Sequence, residues 1–212
     1  MILKMNNIKK ENFLLDSEVR YIKSIIDIEM SNRKILLSTM NGQSLNYDQD
    51  SYSIISSDFG RINLRKIEIG KLLEEKFIQH AKEVTGLNDL ELCGAVMFTE
   101  YNKKYGIPSL MPHCDAGEPN ILLDYQVYSN IDWSLVVDNV EFFGKDNSVL
   151  NIYNTSQLHY RPAKYFNEGD FIGLLFFNFF SPSFKGPDRN LLEDSKVREE
   201  WFVCQNKVNQ KE

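Results

Sequence analysis

Only three of the 212 residues are histidines, His80, His113 and His159, and two of them bracket a stretch suited to metal chemistry. His113 opens the tripeptide His113-Cys114-Asp115, and His159 follows 46 residues later in Gln157-Leu158-His159-Tyr160-Arg161. Side chains two apart on a strand share a face, so His113 and Asp115 can offer a nitrogen and a carboxylate oxygen to one ion. Cys114 then points the other way and is expected to be structural. A closed or sandwiched sheet can return His159 beside His113 after about three intervening strands. Two imidazoles and one carboxylate on one face, with positions left open, form the donor set of a mononuclear non-haem Fe(II) centre. The plain alternative for each histidine is a surface or hydrogen-bonded core residue. His80 is taken as structural, because it falls on a helical segment well before the β-rich part of the chain.

The elements that must hold these groups change character near residue 90. Residues 16–31 read as a helix, with Asp16 or Ser17 as N-cap and Val19, Ile22, Ile26 and Met30 at helical spacing. Residues 34–40 and 52–57 read as strands separated by an Asn41-Gly42 turn. A second helix is expected over 67–84. Its apolar stripe is Ile69, Leu72, Leu73, Phe77, Ala81 and Val84, and Gly86 is placed to end it. Strands then follow at 92–101, 121–128, 132–137, 148–153, 157–161 and 171–180, with turn signals at 129–130, 144–147 and 167–170. A last helix is expected over 191–203. Helices first and short strands afterwards indicate an α+β, mainly β, architecture in which helices cover one face of a sandwich or barrel. The expected organisation is a single domain over 1–212. Within it lie a helical support region with two edge strands (12–88), a β core carrying the site (90–180), and a C-terminal helix and tail (181–212).

Composition narrows the classes of function. Hydrophobic residues at 42% supply a core and leave no case for general disorder. The net charge of −6 and pI near 5.2 weigh against nucleic acid as the main partner. The acidic stretches at 16–18 and 48–50 read as solvated surface. Cys93, Cys114 and Cys204 are widely spaced and form neither a disulfide framework nor a CxxC zinc pattern, which suits a reducing, cytoplasmic setting. The N-terminus lacks the apolar run of a signal peptide, and the most apolar window, 171–180, is too short to span a bilayer as a helix, which takes about 20 residues. No membrane partner is therefore expected. No feature of the sequence speaks to oligomeric state.

Several segments together resemble a known family. They are the opening "NFLLDSEVRYIKSII", the approach from Tyr101 through Gly106 to "MPHCDAG", the segment "DWSLVVDNVEFF", and "QLHYRPAKYFNEGDFIGLLFF". The family they resemble is the 2-oxoglutarate- and Fe(II)-dependent dioxygenases, in the prolyl-4-hydroxylase-like branch. The resemblance covers most of residues 12–180, and its specific part is His113, Asp115 and His159. It implies a double-stranded β-helix, or jelly roll, flanked by helices, and the strand count agrees. It also implies that these three residues hold Fe(II) as the catalytic centre. 2-Oxoglutarate would bind through its 1-carboxylate and keto oxygen, with O2 taking the remaining position. The implied reaction is hydroxylation of an unactivated C–H bond, with succinate and CO2 as co-products.

One departure from the family's pattern matters. Family members usually clamp the distal carboxylate of 2-oxoglutarate with an Arg or Lys about ten residues after the distal histidine. Here that region is Glu168-Gly169-Asp170. Arg161, two residues after His159 and on its inward face, offers a replacement, since a guanidinium can hold a carboxylate through two parallel hydrogen bonds. Lys164 is a second candidate, and Tyr101 could add a phenolic hydrogen bond to the same cosubstrate. The alternatives are a salt bridge from Arg161 to a surface carboxylate such as Glu168, and an ordinary half-buried strand tyrosine at 101. Trp133, Tyr125 and Tyr153 are expected at the cavity or in the core. Asp115 argues against a halogenase on this scaffold, which leaves that position to chloride by placing Gly or Ala there. The compact chain favours a small-molecule substrate, such as an amino acid or biosynthetic intermediate. A peptidyl or protein hydroxylase, and a jelly-roll binding protein whose metal does not turn over, stay open as alternatives.

Overall fold

In the computed structural model, which describes residues 6–38, 52–115, 120–184 and 191–210, the long apolar runs become the central strands. In chain order the first strands are β1 (Lys9–Lys10), β2 (Lys34–Ser38), β3 (Tyr52–Ser56), β4 (Arg61–Leu64), β5 (Glu91–Leu92) and β6 (Met97–Asn102). They are followed by β7 (Leu110–His113), β8 (Ile121–Ser129), β9 (Leu135–Val137), β10 (Val140–Phe142), β11 (Ser148–Ile152), β12 (His159–Arg161) and β13 (Phe171–Phe180). The helices are α1 (Asp16–Asn32), α2 (Lys71–Thr85) and α3 (Leu191–Asn209). One sheet runs β1-β11-β8-β13-β6-β4-β3-β2, with β5 also on β13, and a second runs β10-β9-β12-β7. The two sheets line opposite walls of one cavity, with helices outside them, which is the expected jelly roll. Among the described residues no helix is long and apolar enough to cross a membrane.

Burial on both faces explains why β8 and β13 are so apolar. Leu123, Tyr125 and Val127 of β8 and Leu175, Phe177 and Phe179 of β13 share a core with Ile22 and Ile26 of α1 and Leu73, Phe77 and Ala81 of α2. Residues of the opposite parity, Leu122 and Asp124 on β8 and Leu174 and Phe176 on β13, face the cavity. The Phe77 ring stacks on Phe177 at 3.8 Å between centroids and meets Tyr125 edge-on at 5.4 Å, so it keys α2 to the sheet. Helix α3 closes over the second sheet. Trp201 Nε1 donates to the Arg161 carbonyl at 2.8 Å, and Arg198 Nε to the Pro112 carbonyl at 2.9 Å.

Several boundaries differ from expectation, each for a local reason. Helix α2 starts only after Gly70, whose φ of +86° turns the chain. Ile67 and Ile69 are instead buried in an extended lead-in, with Ile67 N–H on the Val96 carbonyl at 2.9 Å. The later start rotates the stripe, so Leu72 is 81% exposed while Leu73, Phe77 and Ala81 face inward. Leu15, rather than Asp16 or Ser17, holds the N-cap position of α1, and its N–H donates to the Glu18 carboxylate at 2.9 Å. Strands β2 and β3 pair in parallel, which no tight turn can join. The Asn41-Gly42 turn and the acidic stretch 48–50 lie outside the described residues.

Short strands β1, β4 and β10 were not expected. β10 follows β9 through Asp138 and Asn139, both at positive φ (46° and 67°), as a two-residue hairpin requires. β4 is entered through Gly60 at φ +55°, where a Cβ would lie 2.3 Å from the Pro108 nitrogen. The strand expected over 92–101 splits into β5 and β6 around Gly94 at φ +77°, and the one expected over 132–137 begins only at Leu135. Helix α3 continues past residue 203 to Asn209.

The stacked position of Phe77 makes Phe77→Ala expensive. Truncating so large a core side chain should cost about 3–5 kcal/mol in urea unfolding, with the slope against denaturant unchanged. A loss below about 1 kcal/mol would show that α2 is not keyed to the sheet through this ring.

Candidate metal centre

Strand β7 ends at His113 and β12 begins at His159, and their antiparallel register sets these two residues directly opposite one another. Their ring centroids are 4.4 Å apart. On β12 the alternation runs as expected, with His159 and Arg161 buried and Tyr160 partly exposed. Asp115 lies beyond the end of β7, so it is not strand alternation that brings it in. Its N–H donates to the Asn154 carbonyl at 2.9 Å, and Asn154 Nδ2 donates to its Oδ2 at 2.8 Å. The other oxygen, Oδ1, then sits 3.4 Å from His113 Nε2. One donor atom from each of His113, Asp115 and His159 lies within 4.8 Å of the others, and no further His, Cys, Asp or Glu trio does so among the described residues.

Backbone carbonyls fix the tautomer of both imidazoles. His113 Nδ1 is 2.8 Å from the Met111 carbonyl, and His159 Nδ1 is 3.0 Å from the Gln157 carbonyl. A carbonyl only accepts, so each Nδ1 carries a proton, and the neutral form of each ring has its lone pair on Nε2, where a metal can take it. Burial, reinforced by the His113 charge, lowers the His159 pKa from 6.5 to about 4. That ring is therefore neutral at neutral pH. For Asp115, burial favours the protonated form, but the His113 hydrogen bond, the His159 charge and the Asn154 hydrogen bond outweigh it and hold the carboxyl below its ordinary range. An anionic carboxylate with imidazoles free at Nε2 fits a divalent transition-metal ion that keeps open positions.

Those positions give onto a cavity of about 190 Å³, whose polar wall groups are Arg61, Tyr101, Asp124, Arg161 and Asn178. Arg161 is where the sequence places it, buried in this wall, but its partners are internal. It donates through Nη1 to the Trp133 carbonyl and through Nη2 to Asp124 at 3.4 Å, with its guanidinium over the Trp133 ring. Its charge is met by Asp124 and not by Glu168. Burial drives the Asp124 carboxyl up, and Arg161 opposes that shift. Tyr101 is fully buried, edge-on to Trp133 at 5.1 Å, and its hydroxyl accepts from Arg61 Nη1 at 3.0 Å.

Lys164 is not brought to the site. It donates from the surface to the Asp132 carbonyl and does not line the cavity. Tyr125 and Tyr153 belong to the helix-side core, and Trp133 packs with Tyr101 beside the cavity. His80 is buried in α2 against Phe13, as a structural residue would be. Arg61, Asp124 and Asn154 went unread in the sequence. Asp124 could have been found, since it is the charged residue in an apolar strand and shares parity with Leu122.

Several solved structures share this architecture at low identity. HygX from Streptomyces hygroscopicus, with nickel, 2-oxoglutarate and hygromycin B bound, matches with a TM-score of 0.55 and 9% identity over 86% of this chain and 85% of that one. A prolyl hydroxylase from Trichoplax adhaerens, in complex with a hypoxia-inducible-factor peptide, matches at 0.56 and 13% over 92% and 86%. AviO1 from Streptomyces viridochromogenes matches at 0.59 and 10% over 89% and 94%. At these identities the likeness establishes the jelly-roll fold, and it does not single out the prolyl-4-hydroxylase-like branch. No protein-family model and no curated protein matches the sequence.

The buried, neutral His159 has a consequence for stability. A histidine whose folded pKa lies below its unfolded value supports the fold above pH 6.5, and that support is lost as pH falls toward about 4. At about 1.4 kcal/mol per unit, the shift corresponds to roughly 3 kcal/mol. The thermal midpoint of the metal-free protein should fall across this window, and His159→Gln should flatten the fall. An equally steep fall in His159→Gln would assign the effect to another group.

Proposed function

We propose that the chain is an Fe(II)- and 2-oxoglutarate-dependent oxygenase that hydroxylates an unactivated C–H bond of a small molecule, such as an amino acid or a biosynthetic intermediate. The observation that carries this reading is the pair of imidazoles, each with Nδ1 tied to a carbonyl and a donor atom within 4.8 Å of an Asp115 carboxylate oxygen, in the wall of a partly open cavity. The binding of nickel and 2-oxoglutarate by HygX, a protein of the same fold, supports it. The modest cavity supports a small substrate over a peptide.

His113, Asp115 and His159 would hold the iron. When bound, iron, 2-oxoglutarate and O2 supply an oxidant strong enough for an unactivated C–H bond, with succinate and CO2 as co-products. The chain's own residues do the rest. The carbonyls of Met111 and Gln157 orient the imidazoles, and Asn154 orients Asp115 and leaves one of its oxygens free. Leu110 and Leu135 from one sheet and Leu122, Leu174 and Phe176 from the other give the cavity its apolar surface.

Purified without oxygen, the protein with Fe(II) and 2-oxoglutarate should show a weak visible charge-transfer band. On admission of O2 it should release succinate slowly even without a prime substrate, and His113→Ala should abolish both signals. Absence of the band, together with succinate no higher than in His113→Ala, would leave a jelly-roll binding protein whose metal does not turn over.

A further inference from the structure

We infer that Arg61, held by the Tyr101 hydroxyl, is the cation that binds the distal carboxylate of the cosubstrate, and that Arg161 is a wall residue already neutralised. The inference rests on the oxygenase reading above. 2-Oxoglutarate carries a carboxylate at each end. A ferrous ion with one carboxylate ligand retains one positive charge, enough for the end bound at the metal. The other carboxylate needs a second cation within the same cavity, because an unpaired charge is costly out of water.

Among the described residues two guanidiniums line the cavity, and they differ in what they have left to give. Arg161 is paired with the buried Asp124, and its Nη1 is taken by the Trp133 carbonyl. A second carboxylate brought to it would face Asp124 as a like charge. Arg61 has no carboxylate partner among the described residues. Its one hydrogen bond there runs to Tyr101, its Nε, like that of Arg161, is buried with no acceptor, and it lies against the rings of Phe59 and Tyr101 at 4.9 and 5.7 Å. A buried donor on an uncompensated cation is the arrangement that an anionic ligand completes.

The register places these groups to act together. Arg61 on β4 pairs with Tyr101 on β6, and Tyr101 pairs with Ile172 at the head of β13, so the three form one row across the sheet. Tyr101 accepts from Arg61, which leaves its own hydroxyl proton free to donate to a ligand oxygen. Arg61 and Tyr101 thus offer a charged donor and a neutral one side by side, and the site selects a dicarboxylic 2-oxoacid over a monocarboxylic one.

Calorimetric titration of the Mn(II)-loaded protein, which binds without turning over, tests this directly. The ligands are 2-oxoglutarate and 2-oxopentanoate, which has the same chain length without the second carboxylate. The unaltered protein should prefer 2-oxoglutarate on the order of a hundredfold. Arg61→Leu should bind both ligands equally, at the level of 2-oxopentanoate, with Mn(II) affinity unchanged. Tyr101→Phe should narrow the preference without removing it. Should Arg61→Leu fail to fold, Arg61→Gln, which can keep the hydrogen bond to Tyr101, carries the same expectation. A folded Arg61 variant that keeps the full preference overturns the assignment. If the unaltered protein shows no metal-dependent binding of 2-oxoglutarate, the oxygenase reading beneath it is what falls.

Discussion

The pairing of His113 with His159 across β7 and β12 is the contact on which the site depends. It is made by two short strands, and a slip of one residue between them would turn His159 and Arg161 out of the cavity together. Much of the surrounding structure opposes that slip. Asp138 and Leu158 exchange hydrogen bonds at the other edge of β12, where the Asp138 N–H reaches the Leu158 carbonyl at 2.9 Å and Asp138 Oδ1 accepts from Leu158 N–H at 3.0 Å. Helix α3 ties down both members, holding β7 through Pro112 and β12 through Arg161. Asn154, with no exposed surface, then brings Asp115 to a pair of rings already fixed.

The larger sheet serves this arrangement by being buried twice over. One parity of β8 and β13 is spent on the helices, through Tyr125, Phe177 and their neighbours, so the other parity is free to build a cavity wall without exposing the sheet. Asp124 is the one carboxylate that β8 and β13 bring to that wall, and its burial is tolerable because Arg161 reaches it from the opposite sheet. The ion pair therefore bridges the two walls. The remaining guanidinium, Arg61, stands on the far side of Tyr101 with no such partner among the described residues. One cation is consumed in holding the cavity together and the other stays available, a division that sequence position alone does not reveal.

What could be read from the sequence followed from local periodicity and from scarcity. Three histidines in 212 residues made the 113–115 and 159 pairing conspicuous, and alternation correctly turned Arg161 inward with His159. The helices and long strands carried their own periods. What escaped depends on contacts distant in sequence or on backbone detail. Asp115 is placed by Asn154, a loop residue 39 positions away. Arg61 sits on a four-residue strand too short to show a period, entered through a glycine at which the close approach of Pro108 leaves no room for a Cβ. The start of α2 was misplaced because Ile67 and Ile69 are buried like helix residues while lying in an extended lead-in fixed by Val96. Lys164, the second candidate for the clamp, is taken elsewhere by its surface contact with the Asp132 carbonyl.

X-ray absorption at the iron edge of the anaerobically Fe(II)-loaded protein is the most direct test of the account, because it reads the ligands themselves. One iron per chain is expected, coordinated by nitrogen and oxygen alone, with the outer-shell scattering of two imidazoles and a changed edge when 2-oxoglutarate is added. Sulfur ligation from Cys114, fewer than two imidazoles, or no stoichiometric iron would contradict a centre built from His113, Asp115 and His159.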